Sequence, residues 1–244
     1  MTEPVIRVPE TSRALLEQLG RCAHRHGASA YAVGGCVRDW CLGMDRSTDL
    51  DVTVEGRGIE VAQAAAQELS GTLTVHQQFG TATVSLPSGA RVDVATARRE
   101  TYAKPAAYPS VTAGTLRDDL FRRDFTINAM AMTLEPGRVG ALVDLFGGVA
   151  DLGERQLRVM HLRSFLDDPT RILRGVRFLQ RFGLRWEPNT EQWLHEAVSS
   201  GALGWLNPGR FQKELDAMMK EPDPKACLHR LAMLLEQAKW AAER

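Results

Sequence analysis

Two aspartates one residue apart, Asp49 and Asp51, sit in the alternating run Asp49-Leu50-Asp51-Val52-Thr53-Val54. Residues two apart on a strand point to the same side. Both carboxylates then reach into one cleft, while Leu50 and Val52 face a core. Thirteen residues separate Asp49 from Gly35, the second glycine of a Gly34-Gly35 turn. A glycine turn between a strand and a helix aims backbone N–H groups at an anion, and glycine allows close approach of backbone to phosphate. Mg²⁺ takes few protein carboxylates and completes its shell with water and substrate phosphate. A later run, Arg91-Val92-Asp93-Val94, offers Asp93 as a third acid. These are the parts of a nucleotidyl-transfer site, with a triphosphate held by the turn and divalent metal held beside it.

Each part has a plainer reading. A Gly-Gly pair is most often a simple turn. This one lacks the Gly-Lys-Ser/Thr of a P-loop and the Gly-x-Gly-x-x-Gly of a dinucleotide fold. An Asp-x-Asp pair can be a solvated strand face or a structural calcium site, although Leu50 and Val52 do not suit an oxygen-rich calcium loop. Asp93 can simply partner Arg91.

The elements that must position these residues follow from periodicity and punctuation. Residues 11–26 carry the apolar stripe Leu15, Leu16, Leu19 and Cys22 of a helix that Gly27 ends. Residues 29–33 read as a strand entering the glycine turn, 36–42 as a short helix, 50–54 as a second strand, and 59–69 as an Ala-rich helix. Three strands are expected at 72–76, 81–86 and 91–95, the last two joined by Pro87-Ser88-Gly89 as a hairpin. Residues 98–114 read as a loop, and a long loop inside a compact domain is often functional. From Leu116 onward the chain reads as mostly helical, with helices at 169–182, 188–198, 211–220 and 224–242.

Composition is that of an ordinary soluble globular protein: 244 residues, 44% apolar, 25% charged and zero formal net charge. Contact with nucleic acid therefore needs a local basic surface. Lys occupies only five positions, and Arg supplies the rest of the 30 basic residues. Arg suits bidentate recognition of phosphate and base edges, and coding bias explains the skew equally well. Cys22, Cys36, Cys41 and Cys227 form no Cys-x-x-Cys pair and no zinc spacing, so buried thiols in a reducing compartment are expected. The absence of a signal-peptide run or a long apolar segment argues for a cytoplasmic protein with no membrane partner.

Three motifs carry a resemblance. They are Gly34-Gly35-Cys36-Val37-Arg38-Asp39 through Asp51; Arg122-Arg123-Asp124-Phe125-Thr126-Ile127-Asn128-Ala129-Met130; and Asp168-Pro169-Thr170-Arg171-Ile172-Leu173-Arg174-Gly175-Val176-Arg177-Phe178. The strand, glycine turn and paired acids resemble the polymerase-beta-like nucleotidyltransferase superfamily. All three motifs, in this order, resemble the class II tRNA nucleotidyltransferase and bacterial poly(A) polymerase family. Residues 144–152 resemble that family's connector between head and neck. The resemblance implies an α+β fold: a polymerase-beta-like nucleotidyltransferase head with a small mixed β-sheet at 1–145, an all-helical neck at 146–200 with the base-recognition helix, and a partial helical body at 201–244.

It also implies roles. Gly35 and Arg38, with Gly34 in the same turn, contact the triphosphate. Asp49 and Asp51 hold two Mg²⁺, and Arg123 contacts the nucleotide. Asp168 and Arg171 act as a protein template for the incoming base, with Arg174 on the same helix face. Cytosine and adenine each carry an amine beside a ring acceptor, where uracil and guanine carry a carbonyl. An acid–guanidinium pair accepts the first two, and a mispaired, desolvated polar group costs ~1–3 kcal/mol. The family's usual Glu in the first template position is Asp167 here. On residue spacing alone, Asp168 could equally cap its helix and Arg122 could pair with Asp118 or Asp119. Residues 155–185 hold eight arginines against Asp167 and Asp168, a surface able to bind phosphates; those not facing the nucleotide would be solvated.

The expected activity is template-independent addition of C and/or A from CTP/ATP to the tRNA 3′ end, with release of pyrophosphate and with Mg²⁺ as cofactor. A poly(A) polymerase is the alternative within the same chemistry. A non-catalytic nucleotide- or RNA-binding module is the alternative of a different class. Family members usually continue into helices that grip the tRNA acceptor end, and residues 201–244 supply only the start of such a body. Oligomeric state is unknown from the sequence, as is the choice between C and A addition.

Overall fold

The computed structural model describes residues 5–44 and 49–242; of Thr11, Asp49 and residues 238–242 only the backbone is described. The described chain forms two compact units. The first runs from the start of the described residues to Glu100 and adds Val111–Arg123 and Ile127–Val149. The second comprises Thr101–Ser110, Asp124–Thr126 and the chain from Ala150 onward.

In the first unit the elements run α1 (Glu10–Arg25), β1 (Ala30–Val33), α2 (Gly35–Cys41), β2 (Asp49–Val54), α3 (Gly58–Glu68), β3 (Thr72–His76), β4 (Thr81–Ser85), β5 (Arg91–Thr96), β6 (Arg98–Thr101), β7 (Ser110–Ala113), α4 (Leu116–Phe121), β8 (Met130–Thr133) and β9 (Leu142–Asp144). Seven strands form one mixed sheet in the order β3-β4-β5-β2-β1-β8-β9. Within this sheet, among the described residues, only β2 and β5 pair in parallel. Leu50, Val52 and Val54 on β2 and Val92 and Val94 on β5 are buried, and α1 and α3 contact this sheet. The alternate positions, Asp51 and Asp93, escape that core, as the period-2 pattern requires.

Three differences from sequence expectation have physical causes. Residues 130–133 and 142–144 are strands of the main sheet, not part of a helical run. Met130–Thr133 is buried at every position, so it lacks the alternation that marks a half-buried strand. Residues 98–114 are not wholly loop: β6 and β7 pair as a separate two-stranded sheet. Arg98–Thr101 has no apolar residue, and Ser110–Ala113 is exposed at every position with only two alternating apolar residues. Cys41 is exposed, while Cys22, Cys36 and Cys227 are buried.

The chain crosses into the second unit through α5 (Gly148–Gly153) and continues as β10 (Gln156–Leu157), α6 (Ser164–Asp167), α7 (Thr170–Phe182), β11 (Arg185–Trp186), α8 (Pro188–Ser199), α9 (Pro208–Met219) and α10 (Pro224–Ala242). Helices dominate, with the two-residue parallel ladder β10–β11 added to them. Capping explains several starts. Glu187 accepts from Thr190 N–H at 2.9 Å ahead of Pro188. Asn207 accepts from Gly209 N–H at 2.8 Å ahead of Pro208, so α9 begins three residues before Phe211. Asp223 accepts from Ala226 N–H at 3.0 Å ahead of Pro224. Proline at the first helical position lacks a donor that would be orphaned there anyway. Among the described residues no helix is long and apolar enough to cross a membrane.

Candidate active site

The glycine turn sits where β1 hands over to α2. Gly34 has φ +77°, a conformation L residues rarely adopt. A Cβ on Gly34 would lie 2.7 Å from Arg123 Nη1, and one on Gly35 would lie 3.5 Å from Arg38 Nη2. Two guanidinium groups therefore flank the turn, and the absent side chains leave them room. This is a concentration of positive charge against a buried Gly34 and a half-buried Gly35, and guanidinium groups beside backbone N–H donors are an arrangement that suits an oligophosphate.

The two arginines are held differently. Arg38 is buried. Its Nε and Nη2 donate to Asp39 Oδ1 at 2.9 and 2.7 Å, and its Nη1 donates to Asn128 Oδ1 at 2.6 Å. Arg123 donates through Nη2 to Asp119 Oδ2 at 3.1 Å, and its Nε is buried with no hydrogen-bond partner. Nε has no solvent access, so it is Nη1, next to Gly34, that lies at the turn.

Asp119 organises this side of the sheet. It is fully buried on α4, a helix begun by a reciprocal capping box between Thr115 and Asp118. Its carboxylate accepts from Thr53 Oγ1 at 3.1 Å, from Arg122 Nη2 at 2.8 Å and from Arg123. Burial pushes the Asp119 carboxyl up, but the Arg123 and Arg122 guanidinium groups outweigh it and hold it below the ordinary carboxylate value. Arg122 also reaches Glu100 at 3.3 Å. The Arg122–Asp119 pairing foreseen from helical spacing is thus present. Asp119 and Asn128 gain a wider part than their sequence signals suggested, which were helical spacing for one and motif membership for the other.

Asp51 and Asp93 are register partners on the parallel strands β2 and β5. Both line a cleft of about 390 Å³ together with Arg122, Arg123 and Thr53. Asp51 is exposed. Asp93 accepts from Thr83 Oγ1 at 2.5 Å and from Arg91 Nη2 at 3.0 Å, so the Arg91 pairing is real and balances its charge. Asp49 opens β2 opposite Arg91; its side chain lies outside the described residues. Cys36 lies at the start of α2, and burial pushes its thiol up to about 11, leaving an unreactive side chain under the turn. Among the described residues no group of three or more His, Cys, Asp or Glu is arranged to hold a metal. The donor chemistry of an exposed Asp51 on the same strand as Asp49 fits Mg²⁺, which needs only one or two protein carboxylates.

The second unit holds the other predicted residues. Asp168 precedes α7. Its Oδ1 accepts from Thr170 N–H at 3.0 Å, from Thr170 Oγ1 at 2.6 Å and from Arg210 Nη2 at 2.6 Å. The capping reading of Asp168 therefore holds, and Arg210, which had no sequence signal, joins it. Arg171 is buried, and its Nη1 donates to Ser164 Oγ. Beside it, burial and then the Arg171 charge push His161 below the ordinary imidazole value. Arg174 donates through Nε to Asp124 Oδ2 at 2.8 Å and lies 3.7 Å from Glu214. Arg177 and Arg181 reach Glu221 at 3.2 and 2.5 Å, and the Arg177 guanidinium lies 4.8 Å from the Phe178 ring centroid. Arg158 meets Asp151 at 3.0 Å and Glu187 at 3.3 Å. The arginine-rich stretch is thus largely ion-paired rather than solvated, because acids from distant sequence positions converge on it.

The family model for the poly A polymerase head domain matches residues 30–158. This chain belongs to the poly A polymerase head domain family. Within the wider family, the A-adding tRNA nucleotidyltransferase of Geobacter sulfurreducens is 40% identical over 227 residues, covering 93% of this chain and 26% of that protein. The CC-adding tRNA nucleotidyltransferase of Deinococcus radiodurans is 38% identical over 212 residues, covering 87% of this chain and 55% of that protein. The chain thus spans about half or less of the length of these curated relatives. A solved structure described as a CCA-adding enzyme in apo form II superposes with a TM-score of 0.89 and 42% identity, over 95% of this chain and 55% of that one. The head-domain match includes the glycine turn, Asp49, Asp51, Asp93 and Arg123 but ends before Asp168.

Proposed function

We propose that this chain carries out template-independent nucleotidyl transfer to the 3′ end of tRNA, adding C and/or A from CTP or ATP and releasing pyrophosphate. The observation that carries this reading is the convergence of an exposed Asp51 with two guanidinium groups on the Gly34-Gly35 turn. The names of the A-adding and CC-adding relatives support it.

In this scheme residues 1–145 are the catalytic head, 146–200 the neck and 201–244 the start of a body. The turn, Arg38 and Arg123 bind the triphosphate, Arg38 from a buried seat on Asp39 and Asn128. Asp49 and Asp51 hold Mg²⁺, with Asp93 as a flanking acid of smaller effect because Arg91 already balances it. Mg²⁺ bound there would neutralise triphosphate charge and favour ionisation of the attacking hydroxyl. The chain needs no covalent nucleophile for this reaction; it positions and stabilises charge. Asp168 and Arg171 select the base, and Arg174, tied to Asp124, holds the helix face beside them. A cytoplasmic setting suits a tRNA substrate and four free cysteines.

Poly(A) polymerase activity is the second reading, favoured by the description of the matching family model. Purified protein is incubated with Mg²⁺, each labelled NTP in turn, and tRNA ending before or within CCA. Incorporation of CTP or ATP, with UTP and GTP rejected, is expected on tRNA. ATP-only incorporation on unstructured RNA would select the second reading, and no incorporation of any nucleotide would contradict both.

A further inference from the structure

The buried guanidinium of Arg38 donates to two side chains of different charge. Nε and Nη2 donate to the Asp39 carboxylate at 2.9 and 2.7 Å. Nη1 donates to the amide oxygen of Asn128 at 2.6 Å. Asn128 is itself buried, in a segment that backs the glycine turn. Two residues on, Met130 O accepts from Gly34 N–H at 3.2 Å, and a Cβ on Gly34 would lie 3.9 Å from Asn128 O. Other arginines of the molecule are seated on acids instead. Arg122 and Arg123 share the carboxylate of Asp119, and Arg177 lies between Glu214 and Glu221.

An amide oxygen fixes the direction of an N–H donor as a carboxylate oxygen does, but it brings no formal charge. At the turn this difference has a consequence. Arg38 Nη2 lies 3.5 Å from where a Cβ on Gly35 would stand, so the guanidinium faces the backbone that would meet a phosphate. A carboxylate at position 128 would hydrogen-bond the same guanidinium from a buried position, where water screens little. We propose that Asn128 is a positioning residue for nucleotide binding that works through its neutrality: it holds Arg38 against the turn without cancelling its charge. This role rests on the reading of the turn as the triphosphate seat.

The test compares the full chain with Asn128→Asp, Asn128→Ala and Asp39→Asn. The readouts are calorimetric binding of inorganic triphosphate, which has no base, and KM for CTP and ATP on tRNA. Asn128→Asp keeps an acceptor for Nη1 and adds one negative charge; it should bind triphosphate ~10-fold or more weakly than the parent. Asn128→Ala loses the acceptor and adds no charge; it should bind only ~3-fold more weakly. KM for CTP and ATP should rise in the same order, by the same factor for both nucleotides. A merely structural role predicts the reverse order, because Asp retains the bond that Ala loses. That reverse order, or parental binding by Asn128→Asp, overturns the inference and leaves the proposed function standing. If Asn128→Asp does not fold, Asp39→Asn decides. It keeps an acceptor beside the same guanidinium and removes a negative charge, so triphosphate should bind at least as tightly as in the parent, and weaker binding overturns the inference. A parent that transfers nucleotides but does not bind inorganic triphosphate removes the turn as the triphosphate seat, and the role of Asn128 with it.

Discussion

Arginines gather in two regions of this molecule and are put to different uses. Around the glycine turn, Arg122 and Arg123 both meet the buried acid Asp119, Arg122 also meets Glu100, and both arginines line a cleft with Asp51. Along α7, Arg174, Arg177 and Arg181 meet Asp124, Glu214 and Glu221 from elsewhere in the chain. In the first region the ion-paired guanidinium groups line a cleft, and in the second they hold helices together. A count of arginines in a sequence window does not distinguish these two uses; the position of the acids does.

Variants that separate function from stability should split along the same line. Arg123→Ala is expected to lower transfer ~10²–10³-fold, the usual loss when one preorganised donor to a reacting phosphate or oxyanion is removed. Its unfolding midpoint in urea should fall only modestly, because Arg122 and Thr53 still bond the buried Asp119. A comparable loss of stability would make Arg123 a structural residue like those of α7. Glu221→Gln should do the reverse, destabilising the fold by about 1–3 kcal/mol because it takes the buried carboxylate from Arg177 and Arg181 and leaves only Glu214 beside Arg177. Chemical denaturation measures this, and an unchanged midpoint would mean that the α7 pairs hold nothing.

Gly175→Ala is expected to cost about 1–3 kcal/mol by overpacking. A Cβ there would lie 2.1 Å from the Trp186 ring, at the point where α7 packs on β11. A thermal melt indistinguishable from the parent's would show that the ring yields freely. The smallest effect concerns pH. Asp119 is held below its ordinary value, so its stabilisation is complete above the unfolded carboxylate value of ~4 and is lost as pH falls through the depressed folded value. Asp119→Asn should therefore flatten the acid limb of the stability profile. An acid limb as steep as the parent's would assign that limb to other carboxylates.

The polar face of the sheet was legible because β2 and β5 alternate apolar and acidic residues over a core on one side only. The Gly34-Gly35 turn was legible for the same reason: a strand, two glycines and a helix leave little choice of conformation. Met130–Thr133 was not, since burial at all four positions erases the period that identifies a strand. The ion pairs of α7 were not legible either. Their acids lie 40 to 50 residues away along the chain, and only packing brings them near. Arg210 is the extreme case: an arginine on a later helix, in no quoted motif, that bonds the same carboxylate oxygen that caps α7.

The account depends most on Asp51. Single-turnover transfer of labelled CTP or ATP to tRNA, measured side by side for the parent, Asp51→Asn and Asp93→Asn, addresses it directly. Asp51→Asn should fall ~10²–10³-fold while remaining folded, and Asp93→Asn, its charge already balanced by Arg91, should fall ~10-fold or less. Transfer by Asp51→Asn at the parental rate would contradict the account.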